Sequence, residues 1–535
     1  MKKSIVIPSF YKWLSGVFVL IMLLAVLTPL LYSKQKNVYS SIESKFKIMN
    51  QILYYVNQLY YEEVDMDSLM EGAFTGIMDQ LDPHSIYIRA KEQENIEEMF
   101  RGEFQGIGIE FDILHNYITV ISPVAGGPSE RAGLLPGDQI TAIDGRDAKN
   151  ISRDDVFKYL RGAKGTRVDL KINRLGSEPF EVTIIRDNIP IYSVRASIML
   201  DENTGYIWLT RFSAKSGQEV RQALDKLLAQ GMDQLVLDLR NNSGGILEQA
   251  ADVSNIFISH RDTLVYTKGK SRDTEQIFMA NPRKGNEDFA VIILINRGSA
   301  SASEIVAGAI QDLDRGLILG ETSFGKGLVQ RQITLEDGSA LRVTIARYYT
   351  PSGRLIQRPF TNGNYEDYYQ GLHDSNREEK IDSLQESRPK FSTRAGRPVY
   401  GGGGITPDKH IPWSLRIGAE TRSLMVHPKR PLFNWGTTYN LNHDLPALDY
   451  HKFLSEWKLN ESDFREFLQY VIAEGIETDT SVLILDKDYL STILKSEIAG
   501  NYWGKDELWG VRLQADSQAL KALDYFKEAG AFLIE

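Results

Sequence analysis

The chain has 535 residues, a net charge of −10, a pI near 5.5 and no cysteine. Its length calls for several domains, and its ordinary apolar share supports globular cores. The acidic balance argues against a nucleic-acid partner, and the missing cysteines exclude disulfides and lipid attachment through a thiol. Residues 13–33 carry no charge, follow Lys2, Lys3 and Lys12, and could cross a hydrocarbon layer of about 30 Å. A cleaved signal peptide is the alternative, but the stretch exceeds a usual signal core and no clear small-x-small cleavage site follows, so residues 1–33 are expected to be an uncleaved transmembrane anchor. Lys34 and Lys36 lie just beyond it, so charge alone does not orient it.

Residues 34–102 read as a helical lead-in, because Phe46, Met49, Leu53, Val56, Leu59 and Tyr60 recur at helical spacing. Its aromatic residues Tyr54, Tyr55, Tyr60 and Tyr61 fit dimer contacts and ordinary packing equally. The stretch Phe104-Gln105-Gly106-Ile107-Gly108-Ile109 then opens a series of short strands, and Ser152 caps a helix over residues 154–160. With the turn Leu135-Pro136-Gly137-Asp138, residues 103–189 resemble a PDZ domain. That resemblance implies capture of peptide carboxyl termini by strand addition, with backbone amides of Gly106, Ile107, Gly108 and Ile109 holding the carboxylate. A simple turn at the start of a strand is the plainer reading of those four residues.

The next informative stretch is an apolar strand over residues 235–239, ending in Arg240-Asn241-Asn242-Ser243-Gly244-Gly245, where paired glycines permit close backbone approach. Residues 289–295 are uninterruptedly apolar, as in a parallel strand covered on both faces. They deliver Asn296-Arg297-Gly298-Ser299-Ala300-Ser301-Ala302-Ser303-Glu304 to the strand's carboxyl end. Ile305, Val306, Ala309, Ile310 and Leu313 continue at helical spacing, which puts Ser301 at a helix start, where backbone amides favour negative charge. Ser301 and Glu304 also spell a capping box, a purely structural role.

Gly320-Glu321-Thr322-Ser323-Phe324-Gly325-Lys326 has the glycine and lysine spacing of a phosphate loop, which makes a nucleotide hydrolase the first rival. Gly327 nevertheless stands where a magnesium-binding Ser or Thr is required. The next stretch reads as two strands, residues 329–335 and 341–345, joined at Asp337-Gly338, and not as the helix that a phosphate loop needs. A serine and a lysine can instead supply a hydroxyl nucleophile and an amine base without histidine.

Three pieces together, Gly298 to Glu304, Thr322 to Gly327 with Gln330, and Tyr348-Tyr349-Thr350-Pro351-Ser352-Gly353-Arg354, resemble the carboxy-terminal processing peptidases, or tail-specific proteases. The resemblance implies a multidomain α/β and α+β chain with a Ser-Lys peptidase core of mixed or parallel sheet over residues 190–412. It places the nucleophile on Ser301, the base on Lys326 and a lysine-orienting glutamine on Gln330. It assigns the oxyanion hole to Gly244 or Gly245 with the Ala302 amide, and calls for no metal or cofactor. Leu81-Asp82-Pro83-His84-Ser85 resembles the family's junction before the PDZ domain, with a structural histidine.

Residues 362–388 read as a polar surface insertion, and residues 413–535 as a mainly helical tail that covers the core, joins subunits or recruits an adaptor. The expected partners are proteins or peptides with exposed carboxyl termini, the membrane through the N-terminal helix, and a homodimer mate or an adaptor. The family's habit puts the catalytic domains on the periplasmic, extracytoplasmic side of a single-pass anchor. A non-catalytic PDZ scaffold with a peptidase-like core is the alternative. The chemistry requires Lys326 neutral, although a free lysine titrates at about 10.4. Burial must lower that value.

Overall fold

The strand Ala290–Ile295 is buried along its whole length, as its unbroken apolar run requires. It belongs to a six-stranded sheet ordered Val194–Met199, Thr204–Leu209, Gln234–Asp238, Ala290–Ile295, Leu317–Gly320 and Lys409–His410. Only the first pair is antiparallel; the other four pairings are parallel, so both faces need cover. On one face Leu237, Val291, Ile293 and Ile318 pack against Val220, Leu224, Val253, Val306 and Ile310 of the helices Ser216–Ala229, Leu247–Phe257 and Ala302–Asp312.

The other face carries Val236, Ile292, Leu294, Leu317 and Leu319, and it is covered by Leu513, Ala519, Ala522, Phe526 and Ala529 from the end of the chain. Of the three roles left open for the tail, covering the core is one it fulfils. The helices Pro431–Asn442, Glu461–Ala473 and Lys487–Tyr502 add a second apolar core built on Trp435, Phe467, Leu494 and Ile498.

The computed structural model describes residues 42–281, 289–360, 365–374, 376–383, 387–443 and 449–533. The anchor expected over residues 1–33 lies outside them, and among the described residues no helix is long and apolar enough to cross a membrane. Residues 1–80 form one unit and residues 81–535 another. In the first, residues 42–59 are helical and Asp65 caps the helix Met66–Met78 by accepting the Asp67 and Ser68 amides.

In the second unit, Ile109–Leu114, Tyr117–Pro123, Gln139–Ile143, Arg167–Asn173 and Phe180–Ile185 form an antiparallel sheet. Strict alternation of burial along Arg167–Asn173 sends Val168, Leu170 and Ile172 inward against Val156 and Leu160 of the helix Arg153–Leu160. Glu103–Gly106 pairs with Asp187–Pro190, so the chain enters and leaves this module through one two-stranded ribbon. A further sheet joins Ile86–Ile88, Leu328–Thr334 and Thr263–Gly269 to the long strand Ala340–Tyr349, with Ile277–Met279 at its edge.

The stretch read as a surface insertion is mostly exposed over its described residues, but it sends a few side chains inward. Tyr368, on the helix Glu366–Gln370, is buried, and so is Arg377, which donates to the carbonyls of Thr322 and Ser323 at 2.7 and 2.5 Å. Charged composition hid this arrangement because the arginine bonds to backbone carbonyls, which leave no sequence signature.

Candidate active site

Two loops at the carboxyl edge of the parallel sheet carry the candidate residues. Ser301 follows Ala290–Ile295 and starts the helix Ala302–Asp312; Lys326 follows Leu317–Gly320. Ser301 has φ 55° and ψ −113°, a region L-residues seldom occupy and one that clusters at functional turns. It completes a capping box with Glu304, so the structural and functional readings coexist. Glu304 closes the turn by accepting the Ser301 amide at 2.8 Å, and among the described residues Ser301 Oγ donates to no acceptor. The neighbouring serines are committed. Ser299 donates to Leu239 O and Ser303 to Asn242 O, both at 2.8 Å and both fully buried.

Glu304 is the residue that joins the two loops. One carboxylate oxygen accepts the Ser301 and Lys326 amides at 2.8 and 2.9 Å; the other accepts Ser323 Oγ and the Gly325 amide at 2.5 and 2.7 Å. Burial raises its pKa, and these four donors pull it back toward the charged form. The Tyr348 hydroxyl lies 3.1 Å from Ser301 O and 2.7 Å from Lys326 O, a second tie across the same gap.

Lys326 Nζ donates to Gln330 Oε1 at 2.7 Å, and Gln330 Nε2 donates in turn to the His84 carbonyl. A bulge between Val329 and Gln330 lets that side chain leave the strand register toward the lysine. Burial first, and then the positive charge of Arg342, lower the Lys326 pKa to about 8, against opposing pulls from Glu304 and Asp82. His84, hydrogen-bonded to the Tyr368 hydroxyl at 3.1 Å, is pushed down to about 4 by burial and then by Lys326, so it stays neutral.

Gly244 (φ 98°) lies against the serine turn: a Cβ there would sit 2.8 Å from both Ala300 O and Ser301 Cβ and 2.9 Å from Ala302 N. Its own amide donates to Asn242 Oδ1 at 2.9 Å, whereas the Gly245 and Ala302 amides meet no acceptor among the described residues. The free amide favours Gly245 over Gly244 as a donor; both glycines are needed for close packing, Gly244 against the serine turn and Gly245 against Phe212, whose carbonyl oxygen a Cβ would overlap. Asn242, buried, also accepts the Ala300 amide at 3.0 Å through its carbonyl, clamping the glycine loop to the serine turn.

In the PDZ-like module, the loop between Glu103–Gly106 and Ile109–Leu114 leaves the Ile107 and Gly108 amides without an acceptor among the described residues, while Ile107 O accepts Ser129 N and Oγ. Gly106 and Ile109 are drawn into the flanking strands. Sequence reasoning missed Glu304 as the joint between loops, Asn242, Tyr348 and Arg377. Glu304 carried a signal in the capping box that pointed to a local role, and Tyr348 and Asn242 stood inside recognised motifs without a role of their own; Arg377 carried none.

Models of known families match three stretches: peptidase family S41 at residues 203–366, a PDZ domain at 119–174, and the activating protease CtpB N-terminal domain at 28–92. Carboxy-terminal processing protease CtpA of Bacillus subtilis is 35% identical over 320 residues, spanning 60% of this chain and 68% of that relative. The carboxy-terminal-processing protease of Bartonella bacilliformis is 36% identical over 350 residues, spanning 64% and 79%. The chain belongs to this family. It is a carboxy-terminal processing serine protease with a PDZ domain. A solved structure of the photosystem II D1 C-terminal processing protease is 28% identical, with a TM-score of 0.30, over 61% of this chain and 92% of that one.

Replacing Glu304 by Gln would turn an amide group toward N–H donors that need an acceptor. Glu304→Gln is expected to lose about 2–3 kcal/mol of stability, read by urea unfolding, and to lower kcat far more than it changes KM.

Proposed function

We propose that this protease is a membrane-anchored envelope endopeptidase that captures exposed protein carboxyl termini through its PDZ domain and cleaves peptide bonds with Ser301 as nucleophile and Lys326 as general base. The observation that carries this reading is the single Glu304 oxygen accepting both the Ser301 and Lys326 amides, which holds the two loops in one place.

In the proposed reaction, neutral Lys326 Nζ takes the proton as Ser301 Oγ attacks the scissile carbonyl. The Ala302 amide, with an amide of the Gly244-Gly245 pair, stabilises the oxyanion. Collapse expels the amine, which takes its proton from the Lys326 ammonium and leaves an acyl-enzyme on Ser301. Water, deprotonated by the same lysine, then attacks the ester; collapse breaks the bond to Ser301 Oγ, which takes the proton back from the Lys326 ammonium, and the new carboxyl group is released and ionises. Gln330 positions Nζ through its 2.7 Å contact. The steps use only side chains and backbone amides.

The Ile107 and Gly108 amides, flanked by Gly106 and Ile109, form the carboxylate nest, and the strand Ile109–Leu114 offers its edge to the peptide. The uncharged residues 13–33 support a single-pass anchor, with the catalytic domains outside the cytoplasm. A homodimer mate or an adaptor completes the proposed set of partners.

A fluorophosphonate probe should label the wild-type protein and leave Ser301→Ala unlabelled and inactive but folded; labelling lost instead in Ser299→Ala or Ser303→Ala would move the nucleophile. Lys326 is ammonium below its lowered pKa and a base above it, so kcat/KM should rise with pH through about 8. Lys326→Arg should be inactive at every pH, because guanidinium does not deprotonate in proteins; substantial cleavage by that variant would mean another base. Amidating the carboxyl terminus of a peptide substrate should raise KM about tenfold or more, and equal turnover of acid and amide would remove the carboxylate nest.

A further inference from the structure

Between the carboxyl edge of the catalytic sheet and the C-terminal helices lies a cavity of about 870 Å³, within the usual range of ligand clefts, about 300–1,000 Å³. Ala300 and Lys326 line it at the candidate catalytic centre; Trp208, Trp413, Met425 and Trp509 line it farther along. Two of these six come from the serine and lysine loops and three from beyond residue 412, so the C-terminal region builds much of the wall.

The rings are held from behind. Trp413 is 49% exposed, yet its amide donates to Glu321 Oε1 at 3.2 Å, and Glu321 lies in the loop that carries Lys326. Its ring sits 5.8 Å from the Arg240 guanidinium, which is itself buried and fixed by Asp238 and Asp516 at 2.5 and 2.7 Å. Trp509 meets Trp208 edge to face, with ring centroids 4.6 Å apart. The edge strand Lys409–His410 and the Ile411 amide, bonded to Gly320 O at 2.8 Å, set the approach of the chain to Trp413. A loose gap between domains would leave the chain to adapt; here the backbone that carries a half-exposed indole is tied to the loop that carries Lys326. Rigid aromatic surface, kept in water beside a reacting centre, is suited to receiving apolar surface from a ligand.

We propose that the C-terminal domain supplies an aromatic subsite, centred on Trp413 and flanked by Trp509, which receives a large apolar or aromatic side chain of the substrate polypeptide next to the scissile bond. The occupant is a segment of substrate because the cavity is continuous with the centre lined by Lys326. The proposal rests on the Ser301 and Lys326 reading and adds to it a basis for cleavage-site preference. Trp413 and Trp509 are specificity residues in this scheme and take no part in proton transfer.

The test uses the full-length protein and peptides of one sequence with a free carboxyl terminus, carrying Phe, Leu, Ala or Asp on either side of the cleaved bond. Wild type should favour Phe and Leu over Ala in kcat/KM by about tenfold or more at one of those positions, with Asp poorest. Trp413→Ala should bring the Phe-to-Ala ratio down about tenfold, Trp413→Phe should restore most of it, and both variants should keep fluorophosphonate labelling of Ser301. An unchanged ratio in a Trp413→Ala protein that still labels and cleaves would overturn the subsite and leave the catalytic reading standing. A wild-type protein that neither labels nor cleaves would overturn both. Should Trp413→Ala lose labelling through misfolding, the Phe-to-Ala ratio of Trp509→Ala decides: a fall supports the subsite, no change overturns it.

Discussion

A buried carboxylate binds the candidate centre together. Removing Glu304 from water is costly, and that cost is offset by two backbone amides from the lysine loop, one from the serine turn, and the Ser323 hydroxyl. Beyond the strands, the Phe324 amide donates to Ser299 O at 2.9 Å, so the carboxylate reinforces a backbone contact that the two loops already share. With one oxygen shared between Ser301 and Lys326, a shift of either loop strands a buried acceptor. The strained φ of Ser301, the Tyr348 tie and the Gln330 contact to Lys326 are all arranged around that fixed point.

The legible parts of this chain were those governed by local pattern. Residues 289–295 read as a covered strand because nothing polar interrupts them, and Asp337-Gly338 marked the turn between Leu328–Thr334 and Ala340–Tyr349. The helix after Ser301 was visible in the spacing of Ile305, Val306, Ala309 and Ile310. Tertiary pairings were not visible. Glu304 looked like a cap because its reach to Gly325 and Lys326 depends on two strands lying side by side. Arg377 and Tyr368 sat in a polar stretch whose buried partners are a pair of backbone carbonyls and a histidine ring far away in sequence. In the glycine pair, the hydrogen bond from Gly244 to Asn242 and the different backbone each glycine packs against separate the roles of two identical residues.

The family match over residues 203–366 ends well before the protein's catalytic sheet is finished. The edge strand Lys409–His410 comes later, and so do Leu513, Ala519, Phe526 and Ala529, which keep Val236, Ile292 and Leu319 out of water. The tail is thus part of the same hydrophobic structure as the strands that carry the serine and lysine loops. Its aromatic residues reach the cavity as a consequence of that packing.

The ribbon formed by Glu103–Gly106 and Asp187–Pro190 has a mechanical meaning. A module inserted through two separate linkers can tilt and rotate independently of its host. One joined by a pair of hydrogen-bonded strands resists shear between its two connections, since sliding one strand past the other would break the ladder. Bending of the ribbon as a single leaf is the softer motion. The PDZ domain is therefore mounted as a paddle is on a handle, and its blade also touches the tail, through Glu110 with Lys505 at 2.8 Å and His115 with Glu474 at 3.2 Å, so any swing must first release those contacts.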